Sequence, residues 1–256
     1  MERTGQVTPV IECRDLGKTF RTKETHLEVM KGLNLSVKEN EFVVLLGPGQ
    51  CGKTTLMNII AGIQQPTEGE VLFHGNRITR PNPKLGVVYQ TTGLFPWFNV
   101  THNVDFGPRM KRIPKAERQK KAQHFIDLVG LSGFEKSYPI HLSGGMRQRV
   151  GIARAYCNDP EVLLMDEPFG HLDAQTRYSM QEAVEKIWSQ EKRTVIFITN
   201  NIEEAVYLAD RVVLLTNCPT RVKDEVIVDL PRPRNYVDKE FLRLREQIGE
   251  LFESTK

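Results

Sequence analysis

A glycine-rich stretch at residues 47–55 has the residue types and spacing of a loop that binds phosphate. It reads Gly-Pro-Gly-Gln-Cys-Gly-Lys-Thr-Thr and directly follows the apolar run 42–46. The backbone N–H groups of such a loop turn toward phosphate oxygens. Lys53 can then reach the β- and γ-phosphates, and the Thr54 hydroxyl can bind Mg²⁺. The apolar residues that follow predict a helix beginning near Gly52, whose positive end favours the same anion.

Chance alone would rarely place this pattern after an apolar strand, so an accidental glycine-rich turn is the weaker alternative. The residues of the loop that we expect to contact a nucleotide are Gly47, Pro48, Gly49, Gln50, Cys51, Gly52, Lys53, Thr54 and Thr55.

A second motif, at residues 162–168, is an apolar strand that ends in two adjacent carboxylates. It reads Val-Leu-Leu-Met-Asp-Glu-Pro. In a parallel sheet the carboxyl end of such a strand lies beside the phosphate site. Asp166 would then help to hold Mg²⁺, and Glu167 would accept a proton from an attacking water. Alone, this motif is as well explained by a strand-end turn; after a phosphate loop it indicates nucleotide hydrolysis.

A third motif, at residues 142–150, reads Leu-Ser-Gly-Gly-Met-Arg-Gln-Arg-Val. Ser143 is a favourable N-cap, and residues 146–156 have helical character. The start of such a helix is a further anion site. A plain Ser-Gly-Gly turn before a helix would be the preferred interpretation if the other two motifs were absent.

With its three motifs in family order, the sequence resembles the ABC ATPases over nearly its whole length, and Leu-Ser-Gly-Gly resembles their signature. The resemblance implies an α/β fold: a P-loop NTPase (RecA-like) core, an N-terminal antiparallel β-region and an inserted helical subdomain. It implies ATP and Mg²⁺ as cofactors. It also implies a head-to-tail pair of ATPase units, in which the signature of one closes over the ATP held by the other.

The same resemblance assigns roles at the nucleotide. Phe20 matches the aromatic residue that stacks on adenine, although an ordinary half-buried strand phenylalanine would look the same. Gln90 matches the glutamine that touches Mg²⁺ and senses the γ-phosphate. The residues that match the contacts to the partner's nucleotide and to the dimer seam are Ser143, Gly144, Gly145 and Asp173. His171, where the family usually has a small residue, is interpreted as an interface residue.

Two departures from the family pattern bear on the chemistry. Gly49-Gln50 stands where the family usually has Ser-Gly, so Gln50 should adopt a backbone conformation that glycine normally serves. Asn200, after the apolar run 194–198, stands where the family has a histidine that holds the γ-phosphate and the attacking water. Asparagine can donate and accept hydrogen bonds but carries no charge, and a lost donor in such a site often lowers the rate by ~10²–10³.

Bulk properties exclude several classes of function. The net charge of +3 and the pI near 8.6 give no reason to expect nucleic acid. The cysteines, Cys13, Cys51, Cys157 and Cys218, lack the spacing of a zinc site and fit a reducing cytosol. No apolar run approaches the ~18 residues of a membrane span, so the chain is expected to be soluble and to act at a membrane only through a partner.

The alternation of strands and helices predicts one domain over 1–256 with a parallel α/β sheet. We expect a catalytic core with the β-region over 8–91 and 158–230, a helical subdomain over 92–157 and a tail over 231–256. The helix predicted in the tail spans 239–253 and has one apolar face, expected to pack on its own domain. The other expected elements are helices over 56–63 and 174–190 and strands over 70–73, 85–89, 161–166, 194–199 and 211–215.

Four stretches resemble the importer ATPases of the nitrate, sulfonate, taurine and bicarbonate branch: residues 95–97, 142–149, 202–205 and 230–234. In that family the segment after the Gln90 position receives a short helix from the membrane subunit. Phe95, Trp97 and Phe98 are the candidate groove residues, and a buried subdomain core is the alternative use of these aromatics.

The sequence therefore predicts an ATP-hydrolysing importer subunit for a small oxyanion or sulfonate, peripheral on the cytoplasmic face of the plasma (inner) membrane. Its expected partners are transmembrane permease subunits, a second ABC ATPase (homo- or heterodimer) and, indirectly, a substrate-binding protein. One alternative is a non-transport ABC ATPase acting on nucleic acid or ribosomes. The other is an ATP-binding regulator, or the degenerate half of a heterodimer, in which Asn200 makes hydrolysis weak.

Overall fold

The computed structural model describes residues 8–21 and 26–253. The first residues of the predicted domain and the end of the predicted tail, 1–7 and 254–256, lie outside this part of the chain. The described residues divide into two compact units. The first unit comprises 8–21, 26–82 and 194–253, and the second comprises 83–193.

The strands of the described residues are, in chain order, β1 (Ile11–Arg21), β2 (His26–Val37), β3 (Phe42–Leu46), β4 (Glu68–Phe73), β5 (Asn76–Arg77), β6 (Leu85–Val88), β7 (Val162–Asp166), β8 (Thr194–Thr199), β9 (Arg211–Leu215) and β10 (Val222–Ile227). The α-helices are α1 (Lys53–Ile60), α2 (Val100–Val104), α3 (Phe106–Met110), α4 (Lys115–Leu128), α5 (Gly144–Cys157), α6 (Ala174–Gln190), α7 (Ile202–Leu208) and α8 (Lys239–Glu253), and a 3-10 helix spans Pro139–His141.

The first unit contains two sheet regions. An antiparallel sheet has the order β2-β1-β4-β5. In the other region β3 lies between β8 and β9 and is parallel to both, and β10 is antiparallel to β9. Every residue of β3 is buried. The near-continuous apolar sequence of β3 is typical of a parallel strand covered on both faces.

The C-terminal helix α8 packs on its own unit, as its apolar face predicts. Phe241, Ile248 and Phe252 are buried, and Arg245 Nη1 lies 2.9 Å from Glu203 Oε1 of α7. The predicted bounds of this helix are confirmed.

The second unit consists of the parallel pair β6–β7 and helices α2 to α6. The segment predicted to be helical from residue 92 has its first helix only at Val100. The residues before it form turns whose backbone groups bond to the buried side chain of Asn103. Its amide donates to the carbonyls of Phe95, Phe98 and Asn99 and accepts from the Phe95 N–H.

Within the part of the chain that the structure describes, none of the helices has the length and apolar character needed to cross a bilayer.

Candidate nucleotide site

The predicted phosphate loop connects β3 to α1 and ends at Gly52, the N-cap of α1. Gly52 has a φ of 100°, a left-handed conformation that favours glycine. A Cβ at this position would lie 2.6 Å from Val29 Cγ1. Gly52 has no side chain with which to cap the first turn of α1, and the start of a helix favours an anion. The helix start predicted near Gly52 is confirmed.

Gln50 is the residue of this loop that adopts an unusual backbone conformation. Its φ is 61°, and its side chain is exposed. The expectation that Gln50 takes a glycine-type conformation is therefore confirmed. A left-handed conformation costs a residue with a Cβ about 1–2 kcal/mol. The loop therefore holds local strain next to the predicted phosphate position.

Lys53 lies inside the loop. The residue is only 5% exposed, and its Nζ donates to the carbonyl oxygens of Gly47 at 2.9 Å and Pro48 at 2.7 Å. The loop backbone thus holds the ammonium group inside the loop. A positive charge fixed at this place favours a bound phosphate.

Thr220, in the connection between β9 and β10, supports the phosphate loop. The residue is fully buried, and its hydroxyl donates to the carbonyl of Cys51. Its own N–H donates to the Val29 carbonyl at 2.8 Å, and its carbonyl accepts from the Lys31 N–H at 3.3 Å. The backbone of the loop is therefore tied to β2 through one threonine.

Thr220→Val is expected to lower thermal stability and to raise the KM for ATP several-fold. Valine has nearly the same shape but leaves the Cys51 carbonyl without the hydroxyl that donates to it, a loss of about 1–3 kcal/mol for a buried acceptor. Thr220→Ser keeps the hydroxyl and serves as the control. A weaker affinity in the serine variant than in the valine variant would instead assign the effect to packing of the methyl group.

Asn200 lies beside the phosphate loop, directly after β8. Leu46, the last residue of β3, is paired with Thr199, and the Gly47 N–H donates to the Thr199 carbonyl at 3.3 Å. The side chain of Asn200 is exposed. The structure therefore brings this predicted residue to the carboxyl-end edge that carries the phosphate loop, as expected for neighbouring parallel strands.

The backbone around Asn200 is fixed by its neighbours. Thr199 Oγ1 donates to Glu204 Oε2 at 2.5 Å and accepts from the Asn201 N–H at 3.0 Å. Asn201 caps α7, because its Oδ1 accepts from the N–H groups of Glu203 and Glu204 at 2.8 and 3.2 Å. The turn that contains Asn200 is thus fixed by hydrogen bonds of the residue before it, Thr199, and of the residue after it, Asn201.

Phe20 is the penultimate residue of β1, and its side chain is 37% exposed. Lys18 Nζ lies 5.1 Å from the centroid of the Phe20 ring. A partly open ring surface is compatible both with a stacking role and with an ordinary strand position.

In the second unit, Gln90 follows β6 by two residues, Asp166 is the last residue of β7, and Glu167 comes directly after it. The two strands are parallel, and Val88 is paired with Met165. A Cβ built on Gly170 would lie 2.8 Å from Gln90 Nε2, and the Gly170 N–H donates to the Glu167 carbonyl at 3.0 Å. The absence of a side chain at residue 170 therefore leaves room for the Gln90 amide next to the loop that carries Glu167.

The negative charge at the end of β7 affects the pKa of Tyr89, which lies between Val88 and Gln90. Burial and, to a smaller extent, the negative charge of Asp166 raise the pKa of Tyr89. Asp166 is itself only 6% exposed. Glu167 has a φ of 40°, so the residue predicted to act on water adopts an uncommon backbone conformation. Such outliers often cluster at active sites.

The predicted signature forms the start of α5. Ser143 is its N-cap, as predicted, and its Oγ accepts from the Met146 N–H at 3.2 Å. Ser143 and Gly144 are exposed, and Gly145 is buried. A Cβ on Gly145 would lie 2.6 Å from Thr176 Cγ2 of α6. Gly145 therefore allows close contact between α5 and α6.

Asp173 caps α6 on the other side of this contact. Its Oδ1 accepts from the Thr176 N–H at 3.0 Å. Hydrogen bonds from the backbone and hydroxyl of Thr176 lower the pKa of Asp173. His171 is exposed, and together with Gln90 and Gly144 it lines a cavity of about 490 Å³.

The predicted site residues thus form two groups, one in each unit. Gly47–Thr55, Phe20 and Asn200 belong to the first unit; Gln90, Ser143–Gly145, Asp166, Glu167 and Asp173 belong to the second. Sequence reasoning missed Thr220 and Glu204. No sequence motif includes Thr220. Glu204 could have been noticed, because it is an acidic residue at a buried position of the short helix α7, and buried acidic residues are rare unless they are paired.

Comparison with known proteins gives the same family throughout. A family model described as "ABC transporter" matches residues 30–170, more than half of the chain. An uncharacterised ABC transporter ATP-binding protein of Methanocaldococcus jannaschii is 51% identical over 93% of this chain and 89% of its own length. An aliphatic sulfonates import ATP-binding protein of Bacillus cereus is 40% identical over 95% of this chain and 96% of its own length.

A solved structure, the dimeric form of a bacterial ABC transporter cassette, aligns with a TM-score of 0.76 and 31% identity over 86% of this chain and 100% of its own. The same cassette in a post-hydrolysis state bound to ADP and Pi aligns with a TM-score of 0.76 and 30% identity, over the same shares of both chains. The predicted P-loop NTPase fold with an antiparallel β-region is confirmed. The chain belongs to the ABC transporter family, as an ATP-binding subunit with the fold of its ATPases.

Proposed function

We propose that this chain hydrolyses ATP to power an importer of a small oxyanion or sulfonate. The observation that carries the proposal is the Lys53 ammonium, held by two backbone carbonyls inside a glycine-rich loop that leads into the start of α1. The strand-end pair Asp166 and Glu167 beside Gln90 supports the hydrolytic part. Relatives named as aliphatic sulfonates import proteins support the solute class.

The chemistry of the proposed ligands suits a magnesium nucleotide. Thr54 in the first unit and Gln90 and Asp166 in the second carry hydroxyl, amide and carboxylate oxygens, the hard donors that Mg²⁺ prefers. When bound, Mg²⁺ would neutralise charge that develops on the phosphate oxygens. The loop from Gly47 to Thr55 binds phosphate through its backbone, and Lys53 adds a fixed positive charge.

Hydrolysis requires a base and an orienting group. Glu167 accepts the proton of the attacking water, and Asn200 orients the γ-phosphate through its side-chain amide. Phe20 stacks on the adenine ring. Ser143, Gly144, Gly145 and Asp173 act across a dimer of two such chains, or of this chain with a sister ATPase; the similar solved cassette is dimeric.

We propose that the contact with the membrane subunit is made by the aromatic cluster, defined as Phe95, Trp97 and Phe98. Trp97 is 67% exposed, and the ring centroids of Phe95 and Trp97 are 5.7 Å apart. A partly exposed aromatic group can anchor a partner. We place the chain at the cytoplasmic face of the membrane, where a permease helix docks on this cluster and a substrate-binding protein delivers solute from the other side.

The test is solute-dependent ATP hydrolysis by the chain assembled with its permease in vesicles. Labelled alkanesulfonate, taurine, nitrate and bicarbonate are each supplied together with a substrate-binding protein. Uptake of one of these solutes, together with a rise in ATP turnover, is the expected result. ATP turnover without uptake of any of the four would contradict the proposed solute class.

The alternative function, an ATP-binding regulator or the degenerate half of a heterodimer, is motivated by Asn200 in place of histidine and by Gln50 in the phosphate loop. We expect hydrolysis to persist, because the side-chain amide supplies a neutral donor. Asn200→Asp removes that donor at nearly equal size and should lower kcat by about 10²-fold. Asn200→His should change kcat much less.

The matched control is Asn201→Asp, which adds the same charge one residue away. Aspartate caps a helix as well as asparagine, so this variant should keep kcat close to wild type. ATP binding without turnover in the wild type, restored by Asn200→His, would support the regulator instead.

A further inference from the structure

The helix that carries the signature at its start is attached to another segment near its end. Arg154, in the last turn of α5, donates from Nη2 to the Thr92 carbonyl at 2.6 Å and from Nη1 to the Gly93 carbonyl at 3.0 Å. One guanidinium group therefore holds two consecutive peptide carbonyls of the segment that follows Gln90. A planar fork of donors fixes orientation as well as distance.

A second contact joins the same helix to the aromatic cluster. The Arg154 guanidinium lies 5.7 Å from the centroid of the Phe95 ring, within the range of a cation–π interaction. One turn earlier, a Cβ on Gly151 would lie 3.4 Å from Thr92 Cγ2, which places the backbone of α5 close to the segment. The Phe95 ring contacts Phe98, with centroids 5.6 Å apart.

We propose that Arg154 is a positioning residue that makes the signature helix, the segment after Gln90 and the aromatic cluster move as one body. The inference rests on the proposed function, because the cluster is the proposed docking site of the permease. A helix is stiff along its axis, so a displacement of the cluster at one end of α5 is transmitted to Ser143 at the other. Without the fork, the segment 92–98 could shift independently of the signature.

Lysine at position 154 separates this role from a general effect of charge. Arg154→Lys keeps the positive charge but replaces the planar fork by a single ammonium group, which cannot reproduce two fixed bonds. The matched control is Arg149→Lys on the same helix. Arg149 donates from Nη1 to the Val129 carbonyl at 2.8 Å and from Nη2 to Ser179 Oγ at 2.7 Å. Its substitution therefore weakens contacts of α5 with Val129 and Ser179 and leaves the contacts with Thr92 and Gly93 in place.

The first measurement is hydrogen exchange in the chain without its permease. We expect Arg154→Lys to raise exchange of the amides over 91–98, including the Phe95 N–H that now bonds to Asn103, and Arg149→Lys to leave them unchanged. The KM for ATP and the basal kcat should stay near wild type in both variants. The second measurement, with the permease assembled, is the ratio of stimulated to basal kcat. This ratio should fall by about 2- to 30-fold in Arg154→Lys.

Unchanged exchange over 91–98 in Arg154→Lys would overturn the proposal, as would an equal loss of stimulation in Arg149→Lys. If the wild-type chain itself is not stimulated by a permease, the proposed function fails. The exchange measurement still decides whether Arg154 positions the segment.

Discussion

Lys53→Ala is expected to lower kcat/KM for Mg-ATP by at least about 10²-fold, the usual cost of removing one preorganised group that stabilises transition-state charge. Lys53 Nζ donates to the Gly47 and Pro48 carbonyls, inside the loop that we propose binds phosphate. Alanine removes the charge and also leaves these two acceptors without their donor. Steady-state hydrolysis and titration with a fluorescent ATP analogue measure the loss, and both turnover and affinity should fall.

The control for this substitution is Lys31→Ala. Lys31 lies on β2, its side chain is exposed, and its Nζ is 3.2 Å from Glu28 Oε1. An exposed pair of this type contributes little, so the variant should bind and hydrolyse ATP like the wild type. Thermal unfolding of Lys53→Ala separates loss of binding from loss of fold. A folded Lys53→Ala chain with wild-type turnover would refute the assignment of the phosphate site.

The second large effect is expected at Glu167. Glu167→Gln should reduce kcat by about 10²–10³-fold, since glutamine cannot accept the proton of the attacking water. ATP affinity should remain near that of the wild type, because the substitution keeps the size of the side chain. Single-turnover hydrolysis with a parallel equilibrium binding assay gives both quantities.

Glu161→Gln is the matched control for this carboxylate. Glu161 precedes β7, and its Oε1 pairs with Lys84 Nζ at 2.5 Å. Turnover should be unaffected there. If Glu167→Gln retained more than about a tenth of the wild-type kcat, the general base would have to be another group.

Secondary structure was predictable wherever apolar residues follow a clear period. The strands over 194–199 and 211–215 and the helices over 174–190 and 239–253 have the predicted bounds, because buried parallel strands and amphipathic helices leave strong local patterns. The apolar pattern alone predicts helix α1 over 56–63, whereas the helix spans Lys53–Ile60. Its first residues are polar, so the hydrophobic pattern starts about one turn late, and the start near Gly52 is predicted only by the phosphate-loop motif. The conformation of Gln50 was also predictable, from the position of glycine in the related motif.

Contacts between distant parts of the chain were not predictable in this way. Thr220 reaches the Cys51 carbonyl from a loop 169 residues further along the chain, and no local pattern marks it. Arg154 lies within the stretch predicted to be helical, and nothing in the sequence indicates that its guanidinium group bonds to the carbonyls of Thr92 and Gly93. The roles of Phe20 and Asp173 stay predictions, since a partly exposed ring and a helix cap are also ordinary structural features.

The position of β3 between β8 and β9 has a consequence for the order of events on the ribosome. The second unit, residues 83–193, is continuous in sequence, whereas the first unit is completed only by residues 194–253. The phosphate-loop strand emerges early but has its two parallel neighbours only after residue 215 has left the exit tunnel. Domains tend to fold as units during synthesis. A nascent chain should therefore acquire nucleotide affinity late and abruptly, so that ATP binding reports that the strands over 194–199 and 211–215 have been translated.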